Sequence, residues 1–480
     1  MSEKTPRYLT TTLPYVNANP HIGFGLEMVQ ADAYARYARH FADVEVFFNT
    51  GTDEHGQKIA EKADSEGRNR QEYVDHFAGE FNKLKEALNL SYDKFIRTTD
   101  AHHIAAAQEI WRRCFENGDI YKKKYSGLYC VGDEAFVKDS DLVDGYCPNQ
   151  PGQKPIEVEE ENYFFKLSNY QEYLEEYLSQ PGVIEPEWRR QEALTFVKAG
   201  LEDFSISREK SRLDWGIPVP DDDGQVMYVW FDALTNYIST TGWPDDAEGN
   251  FEKYWQNGKV VQMAGKDQVR FQSIMWQAML KSAGVKATDT VFYHGFINSG
   301  GQKMSKSLGN VISPYELVEK YGTDATRYML LRHVHPVDDS DLTWEKMDEW
   351  YTANLVNGLG NLTARIMKMA ETHLDAPIEK PERVDLSDYF MLYEDMRFNE
   401  ACDHVWSMIG ALDEKITETE PFKLVKEDKP AAQKIIAELV EGLYRVAQLL
   451  YPIMPEANVI IKEAVLANKK PDNLFNRLED

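Results

Sequence analysis

The sequence predicts an α/β protein, with a parallel sheet split by an inserted subdomain and followed by an all-helical bundle. Three observations lead there. Short β-rich runs at 8–13, 44–50, 225–231, 260–264 and 291–297 are joined by segments of helical period. This strand–helix alternation stands on both sides of residues 121–220, which implies one parallel sheet interrupted by what lies between. From Thr343 onward apolar residues recur at helical spacing only. A chain of 480 residues is also too long for a single core.

Composition narrows the function classes. Hydrophobic residues make up 42% of the chain, enough to fill sizeable cores. No run approaches the roughly 18 apolar residues of a membrane span. Met1-Ser2-Glu3-Lys4-Thr5-Pro6-Arg7 lacks the apolar centre of a secretory signal, so a cytoplasmic location is expected. The four cysteines, at 114, 130, 147 and 402, are few and scattered, which predicts reduced thiols and no disulfide framework. A formal net charge of −27 argues against a broad basic face for nucleic acid. Any RNA must be bound through local basic surface or aromatic contacts.

The first strand is Tyr8–Leu13, broken by Pro14, Asn17, Asn19 and Pro20. His21-Ile22-Gly23-Phe24-Gly25 then opens a helix predicted over 26–41. A helix N-terminus offers free N–H groups to a phosphate, and Gly23 lets a flat ring approach the backbone. His21 is either a phosphate donor or a helix cap. The strand 44–50 runs into Gly51-Thr52-Asp53-Glu54-His55-Gly56 at the strand end where open α/β sheets place ligands. Asp53 is either an anion for a substrate ammonium or a helix cap. Residues 57–120 read as helices.

Residues 121–220 contain short β-like runs, a Gly/Pro-rich acidic patch at 145–152 and the acidic string Glu157–Glu161. Cys130-x-x-Asp133 and Cys147-Pro148-Asn149-Gln150 look like a metal knuckle with ligands missing. Tetrahedral zinc takes four thiolate or imidazole ligands, so structural zinc is not expected. After the strand 225–231, Trp230, Ala233 and Tyr237 share one face, as a pocket wall or as ordinary core. The strand 260–264 leads to Gly265-Lys266-Asp267 and a helix over about 268–282. The strand 291–297, with His294, delivers the chain to Gly301-Gln302-Lys303-Met304-Ser305-Lys306-Ser307. Two ammonium groups on a glycine-flanked loop suit a closing phosphate clamp, although a solvated loop has the same composition. In the helical region Asn354, Asn357, Asn361 and Arg365 form a polar stripe that hints at recognition.

His21-Ile22-Gly23 after the first strand, with Lys303-Met304-Ser305-Lys306-Ser307 after the last, resembles the paired nucleotide motifs of class I aminoacyl-tRNA synthetases. Leu13-Pro14-Tyr15-Val16-Asn17, the Gly51–Gly56 string, Tyr228-Val229-Trp230-Phe231-Asp232-Ala233-Leu234, Gly265-Lys266-Asp267 and Tyr293-His294-Gly295 are similar to the methionyl-tRNA synthetase family and occur in its order. The resemblance implies an α/β Rossmann-type parallel sheet interrupted by an inserted subdomain, followed by an all-α helical bundle that binds the anticodon. The implied boundaries are 1–120 and 221–297 for the two catalytic halves, 121–220 for the connective insertion, 298–345 for the lysine loop and stem contact, and 346–480 for the bundle. It implies a ligase that activates methionine with ATP and Mg²⁺ and transfers it to the 3′ end of tRNA(Met).

Residue by residue, the resemblance implies ATP contacts at His21, Gly23, Phe24, Gly265, Asp267, His294, Lys303 and Lys306, with His21, Lys303 and Lys306 catalytic. Asp53 takes the methionine ammonium, Arg208 lies near its carboxylate, and Leu13, Tyr15, Trp230, Ala233, Leu234, Tyr237, Gln272 and Trp276 line its pocket. Asn361, Arg365 and Phe422 face the anticodon. Three departures are visible. Phe24 stands where His or Asn is usual, Gln272 where His is common, and Phe422 where Trp is usual. Phe24 cannot donate to phosphate, which shifts charge neutralisation to His21 and the lysines. Nothing corresponds to an appended dimerising domain, so a monomer is expected. The alternative is a catalytically weak synthetase-like protein that binds RNA or methionine, motivated by Phe24, Gln272 and the net charge.

Overall fold

Strand β1 (Arg7–Thr10) occupies the middle of the predicted sheet. Tyr8, Leu9 and Thr10 are fully buried, as a parallel strand covered on both faces should be. The computed structural model describes residues 4–131, 135–147, 152–304, 309–382 and 386–478. The chain divides into two units. The first comprises Met1–Asn19, Glu45–Lys83 and Tyr92–Tyr293; the second comprises Pro20–Val44, Leu84–Ser91 and His294–Asp480.

In the first unit the strands are β2 (Val46–Thr52), β3 (Lys94–Arg97), β4 (Ile120–Cys130), β5 (Ala135–Val137), β6 (Ile156–Phe165), β7 (Ile184–Glu185), β8 (Phe204–Ser205), β9 (Ser207–Glu209), β10 (Pro218–Val219), β11 (Asp222–Met227), β12 (Lys259–Gly265) and β13 (Thr290–His294), whose last residue begins the second unit. The central sheet has the order β3-β2-β1-β12-β13-β7. β1 pairs in parallel with both β2 and β12, so the strand order reverses beside β1. That reversal point is where such sheets bind ligands, outside the carboxyl ends of the strands.

Three sequence expectations are corrected here. Residues 57–120 are not all helical, because β3 adds an edge strand in parallel with β2. Its four residues are too few to show a period, and cross-strand pairing alone specifies them. The run 225–231 is strand only to Met227. The Tyr228 N–H donates to the Ile206 carbonyl (2.8 Å), and a helix begins at Val229. The run 291–297 is broken at Gly295, where a Cβ would lie 2.3 Å from the Asp338 carbonyl.

The insertion is an antiparallel sheet of order β5-β4-β6-β8. Its acidic string lies within β6, where Glu161 opposes Lys124 of β4. Opposite charges facing across a ladder stabilise it. The expectation of reduced thiols fails for one pair. Cys130 and Cys147 are disulfide-bonded, with Cα atoms 5.9 Å apart, and only Cys114 and Cys402 are free. The fold brings the two sulfurs together, a closeness their separation of 17 residues conceals. Among the described residues no group of three or more His, Cys, Asp or Glu is placed to hold a metal ion.

The second unit is built on helix α1 (Ile22–His40), buried from Phe24 to Ala38. β14 (Ile297–Ser299), β15 (Gln302–Lys303) and β16 (Ser340–Asp341) form a small sheet of order β15-β14-β16. Trp344–Trp350, a π-helical stretch Tyr351–Gly360 and Asn361–His373 run as one continuous helix. At the end of the wide stretch Gly358 and Gly360 lie close to the carbonyls five residues back, where a Cβ would be 3.3 Å from the Ala353 oxygen and 3.0 Å from the Leu355 oxygen. It packs with Phe398–Thr419, Lys429–Leu450 and Pro455–Ala467 around Leu355, Leu359, Ile366, Leu439 and Leu443, all fully buried. Among the described residues no helix is long and apolar enough to cross a membrane.

Candidate active site

In the first unit Gly51 and Thr52 end β2, paired with Ile96 and Arg97 of β3, and the loop from Asp53 to Gly56 continues past that pairing. Gly51 is obligatory, since a Cβ there would lie 1.9 Å from the Ile96 carbonyl oxygen. The loop pairs with the segment after β1. The Asp53 N–H donates to the Pro14 carbonyl (3.0 Å) and the Val16 N–H to the Asp53 carbonyl (3.2 Å). Tyr15 and Asp53 thus form a parallel bridge, and Asp53 is 5% exposed. The structure brings these two candidates together, with Leu13 two residues before Tyr15. Asp53 therefore lies in an extended loop joining two strand ends, and Gly56 is the N-cap of the next helix, so the helix-capping alternative for Asp53 falls away.

Trp230, Ala233 and Leu234 lie on the helix Val229–Leu234, and Tyr237 on Asn236–Ser239 directly after it. Trp230 stacks on Phe271 with ring centres 3.8 Å apart. Tyr237 and Trp276 approach to 5.9 Å, and buried Gln272 donates its Nε2–H to the Tyr237 hydroxyl. The amide at 272 therefore presents an N–H to the tyrosine. Gly265 ends β12, and Asp267 sits in the short turn Lys266–Gln268 that follows. Arg208 lies on β9, in the sheet β10-β11-β9. Its Nη1 donates to Ser205 Oγ (2.9 Å) and to the Ser207 carbonyl (2.7 Å), and its guanidinium lies 4.3 Å from the centre of the Tyr228 ring.

Sequence reasoning missed a buried cluster beside these residues. Asp232, fully buried, accepts from His55 Nδ1 (2.7 Å) and His103 Nε2 (2.8 Å). Burial alone would raise its carboxyl, but the two histidines outweigh burial and hold it below the ordinary carboxylate value. Asp232 stands inside the Tyr228–Leu234 motif, so the signal was present, but its partners are 177 and 129 residues away in sequence. Phe271, the stacking partner of Trp230, was likewise not predicted as a site residue.

In the second unit His21 is the N-cap of α1, its Nδ1 accepting from the Gly23 N–H at 3.1 Å. The capping alternative is therefore real. With Nδ1 occupied as acceptor, Nε2 carries the ring proton. A Cβ at Gly23 would approach the His21 ring to 2.9 Å, so a larger residue there would displace the capping imidazole. Phe24 is 8% exposed, an apolar residue of the unit's interior. His294 faces Glu27 of α1, Nε2 to Oε2 at 2.9 Å, while its Nδ1 donates to the Gly295 carbonyl at 2.8 Å. The lysine loop leaves β14 through a two-residue turn, with Gly300 and Gly301 at φ 62° and 74°. Two positive φ values in succession are what a tight hairpin turn of this hand requires. The Gly301 N–H donates to Asp341 Oδ1 at 2.7 Å. Lys303 belongs to β15; its side chain, and all of Lys306, lie outside the described residues.

Of the three anticodon candidates, Asn361 is exposed, Arg365 pairs with Asp413 (2.5 Å), and Phe422 is 45% exposed on the short helix Pro421–Leu424. An aromatic ring so exposed is available for stacking.

The sequence profile of class I tRNA synthetases (M) matches residues 7–154 and 149–367. The chain is 40% identical to a methionine–tRNA ligase of Rhizobium meliloti over 475 residues, covering 95% of this chain and 91% of the relative. It is 38% identical to a methionine–tRNA ligase of Mycobacterium leprae, with 94% and 88% covered. Among solved structures, Mycobacterium tuberculosis methionyl-tRNA synthetase in complex with methionyl-adenylate matches with a TM-score of 0.89 at 38% identity, covering 95% of this chain and 93% of that one.

Proposed function

The chain belongs to the class I tRNA synthetases (M), and from that premise we propose that it activates methionine with ATP and transfers it to the 3′ end of tRNA(Met). It is an ATP-dependent aminoacyl-tRNA ligase. The methionine carboxylate attacks the α-phosphorus of ATP, forming methionyl-adenylate and releasing pyrophosphate. The terminal ribose hydroxyl of the tRNA then attacks the activated carbonyl, and AMP leaves. Both steps need positioning and neutralisation of phosphate charge more than covalent help from the protein.

The roles proposed for single residues follow the chemistry of each. Asp53 takes the methionine ammonium and Arg208 acts near its carboxylate. Leu13, Tyr15, Trp230, Ala233, Leu234, Tyr237, Gln272 and Trp276 surround the thioether side chain, with Gln272 orienting Tyr237. The Nε2–H of His21 donates to phosphate, and Lys303 and Lys306 neutralise charge on the triphosphate. Gly23, Phe24, Gly265, Asp267 and His294 complete the ATP site. Mg²⁺ accompanies ATP through its phosphates. Asn361, Arg365 and Phe422 read the anticodon. The division at 120, 220, 297 and 345, a monomeric state and a cytoplasmic location complete the reading.

The observation that carries it is the pairing of Asp53 with Tyr15 at the carboxyl ends of β1 and β2, within the unit that also holds the Tyr237–Gln272–Trp276 group. ATP–pyrophosphate exchange measured with each of the twenty amino acids is the test. Methionine should support exchange far above the rest; exchange with another amino acid only would reject the specificity. Charging of tRNA(Met) excludes the alternative of a catalytically weak binding protein.

A further inference from the structure

We infer that Asp232 is a positioning residue for methionine, fixing the Asp53 loop against the helix that carries Trp230 and Ala233. The inference rests on the reading of this loop and helix as the methionine site.

The backbone after Asp53 is held by Trp215, whose Nε1–H donates to the Glu54 carbonyl (2.6 Å) and whose carbonyl accepts from the Gly56 N–H (3.2 Å). It is also held by the Thr98 hydroxyl, which accepts from the Glu54 N–H (2.9 Å). Two side-chain anchors lead from it to different elements. The first is Glu54, whose side chain is fully buried. Its carboxylate accepts from Arg97 at Nε (2.7 Å) and Nη2 (2.9 Å), from Thr52 Oγ1 (2.6 Å) and from Thr99 Oγ1 (2.5 Å). These contacts fasten the loop to β3 and the edge of the sheet. The second anchor is His55, whose Nδ1–H reaches Asp232 at 2.7 Å. This contact fastens the loop to the helix Val229–Leu234. The sheet anchor fixes the height of Asp53, and the His55–Asp232 contact fixes its distance from the apolar wall. A methionine bound by its ammonium at Asp53 and by its side chain at Trp230 and Ala233 needs both.

The protons are consistent with a fixed strut. Both oxygens of Asp232 accept, so His55 Nδ1 and His103 Nε2 are both donors. His103 comes from the helix Ala101–Glu116, and its Nδ1 meets Ser239 Oγ at 3.0 Å, so the carboxylate is braced from behind. Asp232 is fully buried and His103 likewise, whereas His55 keeps 6% exposure with its ring edge-on to Trp215 at 5.7 Å. A buried charge with two charge-assisted hydrogen bonds has little freedom to shift.

An Asp232→Asn amide has the same shape but only one accepting oxygen, so one histidine N–H loses its partner. In methionine-dependent exchange the KM for methionine should rise about 10-fold or more, while kcat and the KM for ATP stay within about threefold. A purely structural role would lower the active fraction, and so kcat, without singling out methionine. Asp232→Asn combined with His55→Gln should be no worse than the more impaired single variant, because both act through one contact. An unchanged methionine KM in a folded Asp232→Asn variant overturns the inference, and so does an equal rise in the KM for ATP. If Asp232→Asn does not fold, His55→Gln alone is read by the same two criteria. Absence of methionine-dependent exchange in the unmodified protein would instead reject the functional reading on which the inference stands.

Discussion

Arg327 and Asp32 meet at 2.7 Å with neither side chain exposed to solvent. Asp32 also accepts from Arg36 Nε (2.7 Å) and the Ser91 N–H (2.6 Å). Arg327 spends its remaining donors on the carbonyls of Leu88, Pro452 and Ile453. Burial would raise the Asp32 carboxyl, but Arg327 and Arg36 hold it below its ordinary value. The group joins α1, which begins at the His21 cap, to the chain leaving the helix Lys429–Leu450. Replacing Arg327 by Met leaves three carbonyls and one side of a buried carboxylate without a donor. Unfolding in urea should show a loss of about 3–5 kcal/mol. A loss under about 1 kcal/mol would mean that Arg36 alone satisfies Asp32.

The same unit carries a pH-dependent contribution of the opposite sense. Burial pushes the Asp324 carboxyl up to about 6 from an ordinary 3.8, against the lowering effect of the Ala457 N–H it accepts at 2.6 Å. A carboxyl raised on folding binds its proton more tightly in the native state. Its contribution is therefore full below the unfolded value and is lost as pH rises through the folded one. Asp324→Asn should remove this slope. The difference in stability between variant and parent should change by roughly 2–3 kcal/mol between about pH 4 and pH 6.5. A constant difference across that window would remove Asp324 as the cause.

Lys303 is placed on β15, two residues past Gly301 of the turn. If its ammonium neutralises charge that develops on the triphosphate, Lys303→Ala should lower kcat for exchange by about 100-fold or more, with a much smaller change in the KM for methionine. Stopped-flow or exchange kinetics at saturating methionine measure this. A change confined to the KM for ATP would make Lys303 a ground-state contact.

Phe422→Ala should weaken aminoacylation of tRNA(Met) by roughly 10- to 100-fold, the range expected for loss of one base–aromatic stack. Methionine-dependent exchange should be nearly unchanged. Because the ring is 45% exposed, its removal should leave the melting temperature almost intact. Equal losses in charging and exchange would argue against an anticodon role.

Much of the sheet was legible because its signals are local. The strand ending at Thr10, the Pro/Asn/Gly break and the helix after His21 follow one another within about 15 residues, each with its own period or breaker. β3 was missed because four residues display no alternation, and only pairing with β2 distinguishes them from the helices on either side. The disulfide was missed because sparse cysteines resemble reduced thiols until a fold brings two of them together.

The sequence by itself determined the alternation of elements, the order of the motifs and the chemical groups available to each. Those depend on residues near one another in the chain. Only the tertiary structure decided which groups meet. His55 could have capped a helix and Asp232 could have faced solvent, yet they share a proton contact across 177 residues of sequence. The physical reason is desolvation. A carboxylate or imidazole taken from water must find a partner, and the cost of leaving it unpaired selects the arrangement in which distant segments supply one.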